Sequence, residues 1–385
     1  MAFCAHAADP FSEIVDRITD ANLSLKSEHL RLNASIEEMK ADNMLADPEV
    51  EFERLWHNGG GDNRWSLGVS QSFDWPGLYS ARRRAINARS AAAAAISDDA
   101  RRQCRRQVAQ LLIELITTGK EISTLTEIHS SMLLLQEKYQ RAWEMGETTI
   151  LDVNKLKIEA IRSATRLEEA RSNYRTLEAE LRGMAETNSG GTDLSFTELQ
   201  DLPMLELHSM EEYLDGMESS PEIKALNLMS QAADAASSVS KASMWPGFSI
   251  GYAHAYEDGS HFNGLTVGMS LPIYSRRHLK RSAEAEAMAA HFDAVARTNE
   301  LSASLRADYT NALSLKEQMD QYGPILDGFN HLTLLRKALD GGELTLLQYI
   351  QETNYFVEAR LDYLTIAREY AATMVSLNSY LPAVE

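Results

Sequence analysis

The alternation of apolar and polar positions predicts two pairs of short β-strands, at residues 49–75 and 247–272. In the first pair, Val50 and Phe52 alternate with glutamates, and Leu67 and Val69 alternate with serine and glycine. Successive strand residues point to opposite sides of a sheet, so each strand has one apolar face. The apolar positions are Val50, Phe52, Trp56, Trp65, Leu67, Val69, Phe73, Phe248, Ile250, Tyr252, Leu265, Val267, Met269 and Leu271.

A different spacing after each strand pair predicts long helices. Apolar residues recur three and four positions apart from Val108 to Tyr139, and again from Ile150 to Leu181, which is the pattern of a coiled coil. Residues 79–143 alone would form a helix about 98 Å long. Residues 11–45 predict one further helix, ended by Asp47-Pro48.

The chain contains an internal duplication. Residues 141–151 and 337–347 share a basic residue, an alanine, an acid and Gly-Glu-x-Thr at a constant offset of 196 residues. The same offset relates Pro76 to Pro272 and Tyr174 to Tyr370. We therefore predict repeat 1 at residues 10–185, a polar Gly/Ser linker at 186–205, and repeat 2 at 206–385.

Each repeat has a glycine between its last two predicted helices, Gly146 and Gly342. Glycine adopts positive φ without steric cost, so both are expected to form the tip of a helical hairpin. Matched residues at an exposed turn favour contact with a partner. The predicted tip residues are Gly146, Glu147, Thr148, Thr149, Gly342, Glu343, Leu344 and Thr345.

Basic residues follow both strand pairs. They are Arg82, Arg83, Arg84, Arg276, Arg277 and Lys280. Arginine at a helix N-terminus opposes the helix dipole, and anionic lipid headgroups attract basic residues. This pattern indicates a membrane interface; the alternative is an ordinary solvated start of a helix.

Composition excludes several classes of function. The net charge of -19 disfavours binding to nucleic acid, because the chain would repel phosphates. Cys4 and Cys104 belong to no metal-binding or redox motif, and no catalytic signature is present, so we expect no cofactor, no metal and no enzymatic activity. No stretch reaches the roughly 18 apolar residues of a membrane-spanning helix.

The N-terminal residues resemble part of a secretion signal. Ala5-His6-Ala7 has the A-x-A form of a signal-peptidase site, although the usual apolar stretch before it is missing. Residues 1–9 are therefore predicted to be the remnant of a signal peptide.

Four strands cannot close a membrane barrel alone, because open edges leave backbone groups without partners in lipid. Three chains with four strands each would close a barrel of twelve strands, with small residues facing a lumen. The alternative is a soluble β-hairpin packed on a helix. That arrangement would need an apolar core, and strand faces of serine and glycine make poor cores.

The duplicated helix–hairpin–helix–helix order, Gly-x-x-Thr at both tips and Pro76 and Pro272 at the strand exits together resemble the TolC outer-membrane factor family. The resemblance covers the chain after residue 10. It implies an α+β membrane protein: a homotrimer with a twelve-stranded β-barrel in the bacterial outer membrane and a coiled-coil α-helical barrel in the periplasm. It also implies a periplasmic adaptor and an inner-membrane pump of the RND or ABC type.

The family resemblance also suggests which residues form a periplasmic gate and which subgroup of the family the chain resembles. Family members commonly carry aspartates six and nine residues after the second tip glycine, where this chain has Gln348 and Gln351; Asp152 occupies the first of these positions in repeat 1. These three residues form the predicted periplasmic gate. The stretch Gln71-x-Phe73-Asp74-x-Pro76-Gly77 is similar to the CzcC-like, heavy-metal branch of a family that exports drugs or heavy metals.

The sequence thus predicts a passive efflux channel in the outer membrane. The alternative is a soluble coiled-coil scaffold. The apolar face on all four strands distinguishes the two, because a soluble scaffold would not retain it.

Overall fold

The computed structural model describes residues 10–56, 59, 63–185, 194–196, 199–203, 205–272, 276–327 and 331–381. The predicted signal remnant (1–9) and the first part of the linker (186–193) lie outside the described residues. The helices are α1 (Pro10–Ala21), α2 (Leu23–Ala41), α3 (Pro76–Glu144), α4 (Ile150–Ala185), α5 (Met210–Glu218), α6 (Pro221–Ala242), α7 (Arg276–Asp327), α8 (His331–Asp340) and α9 (Leu346–Asn378). The strands are β1 (Glu49–Leu55), β2 (Arg64–Phe73), β3 (Gly247–Glu257) and β4 (Ser260–Ser270).

The four strands form one antiparallel sheet in the order β1-β2-β3-β4. Pairing of β2 with β3 joins the two repeats, with Val69 opposite Tyr252. The β3–β4 connection is a two-residue turn in which Asp258 and Gly259 have φ of 51° and 76°. Positive φ at both central residues is the geometry of a type I′ turn, which matches the twist of the strands it joins.

The chain divides into two compact units that do not coincide with the sequence repeats. Unit 1 comprises Met1–Leu25, Ala100–Met217 and Leu301–Glu385, and unit 2 comprises Lys26–Asp99 and Glu218–Glu300. Each unit takes segments from both repeats, because α3 and α7 contribute residues to both units. Duplication of the sequence therefore does not produce two separately packed halves.

Two clusters of buried apolar residues lie among the described residues of unit 1. The first packs α1 against α3 and α4 through residues such as Ile18, Leu112 and Leu181. The second joins α3, α4 and α9 through Leu135, Leu156, Tyr349 and other residues. Burial of the coiled-coil positions removes apolar area from water, which is the main stabilising contribution.

The predicted heptad positions of repeat 1 are buried or half-buried, and one of them is exposed. Val108, Leu115, Leu125 and Met132 are buried. Ile150 is 43 % exposed, because it is the first residue of α4 and lies beyond the packed part of the helix pair.

The prediction of one continuous helix over residues 11–45 is wrong. The helix is interrupted at Asn22, whose backbone amide donates to the Thr19 carbonyl at 3.2 Å. The Asn22 side-chain oxygen accepts from the Leu25 amide at 3.1 Å, so this residue caps the start of α2. An asparagine favours a cap over a helix interior because its side chain competes for backbone hydrogen bonds.

The two repeats also differ in their long helices. Repeat 1 has the 69-residue helix α3. In repeat 2 the corresponding segment comprises the 52-residue helix α7 and the separate α8, and residues 328–330 between them lie outside the described residues. Part of the predicted linker is packed into the protein and not exposed to solvent: Leu194 and Phe196 are buried in the first cluster of unit 1.

Candidate channel-forming surfaces

The sheet has a continuous apolar face. The register places Val50, Val69, Tyr252 and Leu265 side by side across the four strands. Leu265 is 80 % exposed and Val50 is 69 % exposed. Soluble monomers rarely leave a contiguous apolar area of this kind in water, so this face is suited to lipid or to a protein partner.

The opposite face of the sheet carries small and polar side chains. Ser70, Gly251 and Thr266 lie side by side there. A Cβ atom on Gly251 would lie 3.0 Å from the Val69 carbonyl oxygen, so a larger residue would require the backbone to shift. Along the middle of β2, β3 and β4 this face has little side-chain volume, which would leave space next to it if the sheet curved around an axis. On β1 the same face carries Glu49, Glu51 and Glu53.

Aromatic residues lie at both ends of the apolar face. At one end, the rings of Trp65 and Tyr256 stack with centroids 6.2 Å apart, and at the other the rings of Trp75 and Trp245 stack at 5.1 Å. Trp65 and Phe73 mark the two ends of β2's apolar face, about 26 Å apart along the strand. A strand tilted by about 40° would carry this length through about 20 Å of the bilayer, and aromatic belts that flank an apolar band of roughly 25 Å are typical of membrane β-barrels.

The sheet has two edges, β1 and β4, each of which pairs with a strand on one side only. Such edges expose a row of backbone amides and carbonyls that can pair with another chain. In lipid these groups would be costly to leave unpaired.

The two helical tips share one backbone turn. In the first, the Gly146 amide donates to the Trp143 carbonyl at 2.9 Å and the Glu147 amide to the Ala142 carbonyl at 2.8 Å. In the second, the Gly342 amide donates to the Leu339 carbonyl at 3.1 Å and the Glu343 amide to the Ala338 carbonyl at 2.9 Å. Gly146 and Gly342 have φ of 80° and 74°. Both turns are Schellman motifs, in which glycine takes the left-handed position.

Two predicted gate residues, Asp152 and Gln348, have a visible local role. Thr149 caps α4: its hydroxyl accepts from the Asp152 amide at 3.3 Å and donates to the Asp152 carboxylate at 2.8 Å. Thr345 caps α9: its hydroxyl accepts from the Gln348 amide at 3.3 Å, and its own amide donates to Gln348 Oε1 at 3.0 Å. These residues therefore stabilise the helix starts that follow the tips. Gln351 is exposed one turn further along α9.

Charge is distributed unequally around the tips. The hydroxyl of Thr149 and the ammonium of Lys155, 3.1 Å away, hold the pKa of the Asp152 carboxyl below its usual value. Asp340 forms an ion pair with Lys138 at 2.6 Å. After the first tip the capping partner is thus the ionised Asp152, whereas after the second tip the matching residue is the neutral Gln348.

The basic residues after the strands fall into two groups. Arg82 forms an ion pair with Asp74 at 2.9 Å, Lys280 one with Glu284 at 3.9 Å, and Arg276 donates to the Ser243 carbonyl. Arg83, Arg84 and Arg277 are exposed. Arg82 and Arg276 bind groups next to the strands, and Lys280 pairs within α7. The second group is accessible to an anionic surface.

Within the described residues, no group of three or more His, Cys, Asp and Glu side chains is placed to hold a metal ion. Cys104 is half-buried on α3, and burial raises the pKa of its thiol. None of the helices in the described ranges is long and apolar enough to cross a bilayer.

The capping role of Thr149 and Thr345 and the two aromatic belts were not predicted from the sequence. Thr149-x-x-Asp152 and Thr345-x-x-Gln348 both have the spacing of a capping motif, so the signal was present in the sequence. The belts depend on register between strands of different repeats, which the sequence does not specify.

No protein-family model and no curated protein sequence matches the chain. Solved structures do match. The outer membrane channel CmeC of Campylobacter jejuni superposes with a TM-score of 0.78 at 15% identity, over 96% of this chain and 85% of CmeC. The outer membrane protein VceC of Vibrio cholerae gives 0.70 at 14% identity, over 96% and 95%. The open-state MtrE outer membrane channel of Neisseria gonorrhoeae gives 0.69 at 15% identity, over 96% and 88%.

The predicted fold class is confirmed by long helices, a four-stranded antiparallel sheet and similarity to these channels over nearly the whole chain. The CzcC-like branch stays a prediction. The chain has the fold of the TolC-type outer-membrane channels.

Proposed function

We propose that this protein is an outer-membrane channel that passively conducts substrates out of the cell. The observation that carries the proposal is a sheet with an exposed apolar face, an opposite face of small or polar residues and two free edges. A membrane barrel requires these three features together, because its outer surface meets lipid, its inner surface encloses a lumen, and its edges must close.

Closure of the barrel is proposed to require a homotrimer. Strands β2, β3 and β4 have 10, 11 and 11 residues, close to the roughly 9–11 of a tilted membrane strand. Pairing of β1 in one copy with β4 in the next would give twelve strands from three chains. A barrel of that size leaves an open lumen when its inner residues are small.

The helical part is proposed to lie in the periplasm and to meet an adaptor protein at its tips. Apolar side chains are exposed there, including Met145 at 67 % and Leu151 at 66 %. Nothing lies within 4 Å of a Cβ built on Gly146 or Gly342, so the turns leave room for a partner. The energy for export would come from an inner-membrane RND or ABC-type pump.

Asp152, Gln348 and Gln351 are proposed to line the periplasmic entrance. Asp152 and Gln348 occupy matching positions in the first turns of α4 and α9. Threefold symmetry would turn each position into a ring, and the Asp152 ring would attract cations. Arg83, Arg84 and Arg277, being exposed, are the best candidates for contact with anionic headgroups.

A matched pair of variants tests the barrel. Leu67 lies on the apolar face of β2 and Ser66, its neighbour, on the opposite face. Leu67→Arg should impair membrane insertion by about 2–4 kcal/mol if the site is near the middle of the membrane. Ser66→Arg should insert and change conductance. Val267→Arg and Ser270→Arg provide the same comparison on β4.

The measurements are membrane fractionation, detergent extraction and mass determination of the extracted particle. We expect the native chain to be a trimer in the membrane fraction. Leu67→Arg should abolish this trimer, and Ser66→Arg should keep it. A soluble monomer or dimer that tolerates both substitutions would instead support the coiled-coil scaffold.

A further inference from the structure

Two histidines converge at one end of the apolar face of the sheet. His254 on β3 and His261 on β4 are diagonal neighbours next to the type I′ turn. Their nearest ring nitrogens, His254 Nε2 and His261 Nδ1, lie 3.3 Å apart, and the ring centroids lie 5.3 Å apart. Neither residue has a place in the proposed channel function.

Hydrogen bonds to Asn263 determine the tautomer of His254. Asn263 Oδ1 accepts from the Tyr252 hydroxyl at 2.8 Å and from His254 Nδ1 at 2.7 Å. The proton of His254 is therefore on Nδ1, and the lone pair of Nε2 points towards His261. A metal-binding histidine shows this arrangement, in which one ring nitrogen donates to an oxygen acceptor and the other ligates the metal.

The distance between the two nitrogens fits tetrahedral zinc. Zinc binds imidazole nitrogen at about 2.0–2.1 Å, and two such bonds at a tetrahedral angle place the nitrogens roughly 3.3 Å apart. Ligands at right angles, as in square-planar or octahedral sites, would lie closer, at about 2.9 Å. His261 needs only to carry its proton on Nε2 for both lone pairs to face the same point.

Neighbouring side chains limit the movement of the two rings. Trp65 lies 5.4 Å from the His254 ring and Tyr256 5.1 Å from the His261 ring, measured between centroids. His254 is half-buried and His261 is exposed, so an ion can enter from solvent. Restricting ligand side chains before binding reduces the entropy that is lost when the metal arrives.

We propose that His254 and His261 bind a zinc ion that links β3 to β4, with Asn263 orienting His254. Two imidazoles leave two tetrahedral positions for water or for a donor from a second molecule, so the site exchanges zinc with its surroundings. Both ligands and the orienting Asn263 lie on the β3–β4 hairpin. The site therefore stands whether or not the sheet closes into a trimeric barrel.

The test is a zinc titration of the full chain in detergent, followed calorimetrically in competition with a chelator. One zinc ion per chain should bind at this site, and His254→Ala or His261→Ala should each weaken it roughly tenfold or more. The chain has ten histidines, so His278→Ala, which removes an exposed histidine on α7, serves as the matched control. It should leave the affinity unchanged.

Substitutions at Asn263 separate orientation from ligation. Asn263→Ala should weaken zinc binding about tenfold to a hundredfold, and Asn263→Asp should strengthen it, because a carboxylate is the better acceptor for the His254 proton.

Wild-type affinity in His261→Ala would overturn the proposal and leave the histidines as a simple hydrogen-bonded pair. His261 is exposed near a strand end, so this variant decides the question even if His254→Ala disturbs the hairpin. A circular dichroism spectrum without zinc verifies that each variant is folded.

Discussion

The two helical tips have the same backbone turn but different side-chain chemistry at the next helix start. Gly146 and Gly342 adopt nearly the same positive φ, and Thr149 and Thr345 both cap the following helix. The capping partner is a carboxylate at one tip and an amide at the other. Only the amide completes a reciprocal capping box, because Gln348 also accepts from the Thr345 backbone. Duplication has thus preserved the turn while the charge next to it has changed.

Replacing the shared glycines should have the largest effect. Gly146→Asp and Gly342→Asp meet no atom within 4 Å of the new Cβ, so the folding cost is the left-handed backbone alone, about 1–2 kcal/mol. We expect folded, membrane-inserted protein that no longer supports export, measured by substrate accumulation in cells and by crosslinking to the adaptor. Gly183→Ala, at an open helical position on α4, is the control. Full export and normal crosslinking in both Asp variants would mean that the glycines only form turns.

Removing the caps should distinguish the two tips. Thr345→Ala and Thr149→Ala each lose a capping hydroxyl, which costs about 1 kcal/mol. The loss should be smaller for Thr345, because Gln348 still accepts from the backbone amide of residue 345 after the substitution and keeps that half of the box. Hydrogen exchange of the Gln348 and Asp152 amides measures it site by site. Equal loss of protection at both tips would show that the second half of the box contributes nothing.

The gate residues should differ in what they control. Gln348→Ala removes a side chain from the proposed entrance and should raise single-channel conductance in a planar bilayer. Asp152→Asn keeps the size but removes the charge, so it should reduce the preference for cations with little change in conductance. Unchanged conductance and selectivity in both variants would leave the two residues with their capping role alone.

The smallest expected effect is a pH dependence confined to the first tip. The folded pKa of Asp152 is lowered, so its contribution to stability is present above the unfolded pKa of about 3.9 and is lost as pH falls through the folded value. Amides at the start of α4 should lose protection from exchange below about pH 4. The start of α9 should not, because glutamine does not titrate. Asp152→Asn should abolish the difference.

Local patterns predicted what depends on neighbouring residues. The strand faces followed from alternation within each strand, and the first tip turn followed from a glycine between two heptad patterns. The second tip turn followed from the internal duplication. Thr149 and Thr345 could have been recognised as caps in the same way, because capping depends on residues three positions apart.

Features that depend on distant residues could not be predicted. Pairing of β2 with β3 places Val69 opposite Tyr252, and no residue in either strand specifies that partner. The division into two units that each combine segments of both repeats also depends on contacts between residues far apart in the sequence. Exposure of Ile150 depends on where packing between helices ends, which the heptad pattern does not encode.

The charge on one edge of the sheet restricts how copies of this chain can associate. Glu49, Glu51 and Glu53 all lie on β1, whereas β4 carries no acidic residue. A two-fold dimer built on two β1 edges would set two rows of glutamates against each other, and like charges directly opposite are destabilising. Joining β1 of one copy to β4 of the next avoids this repulsion. The interface is then heterologous, and a heterologous interface that closes on itself produces a ring.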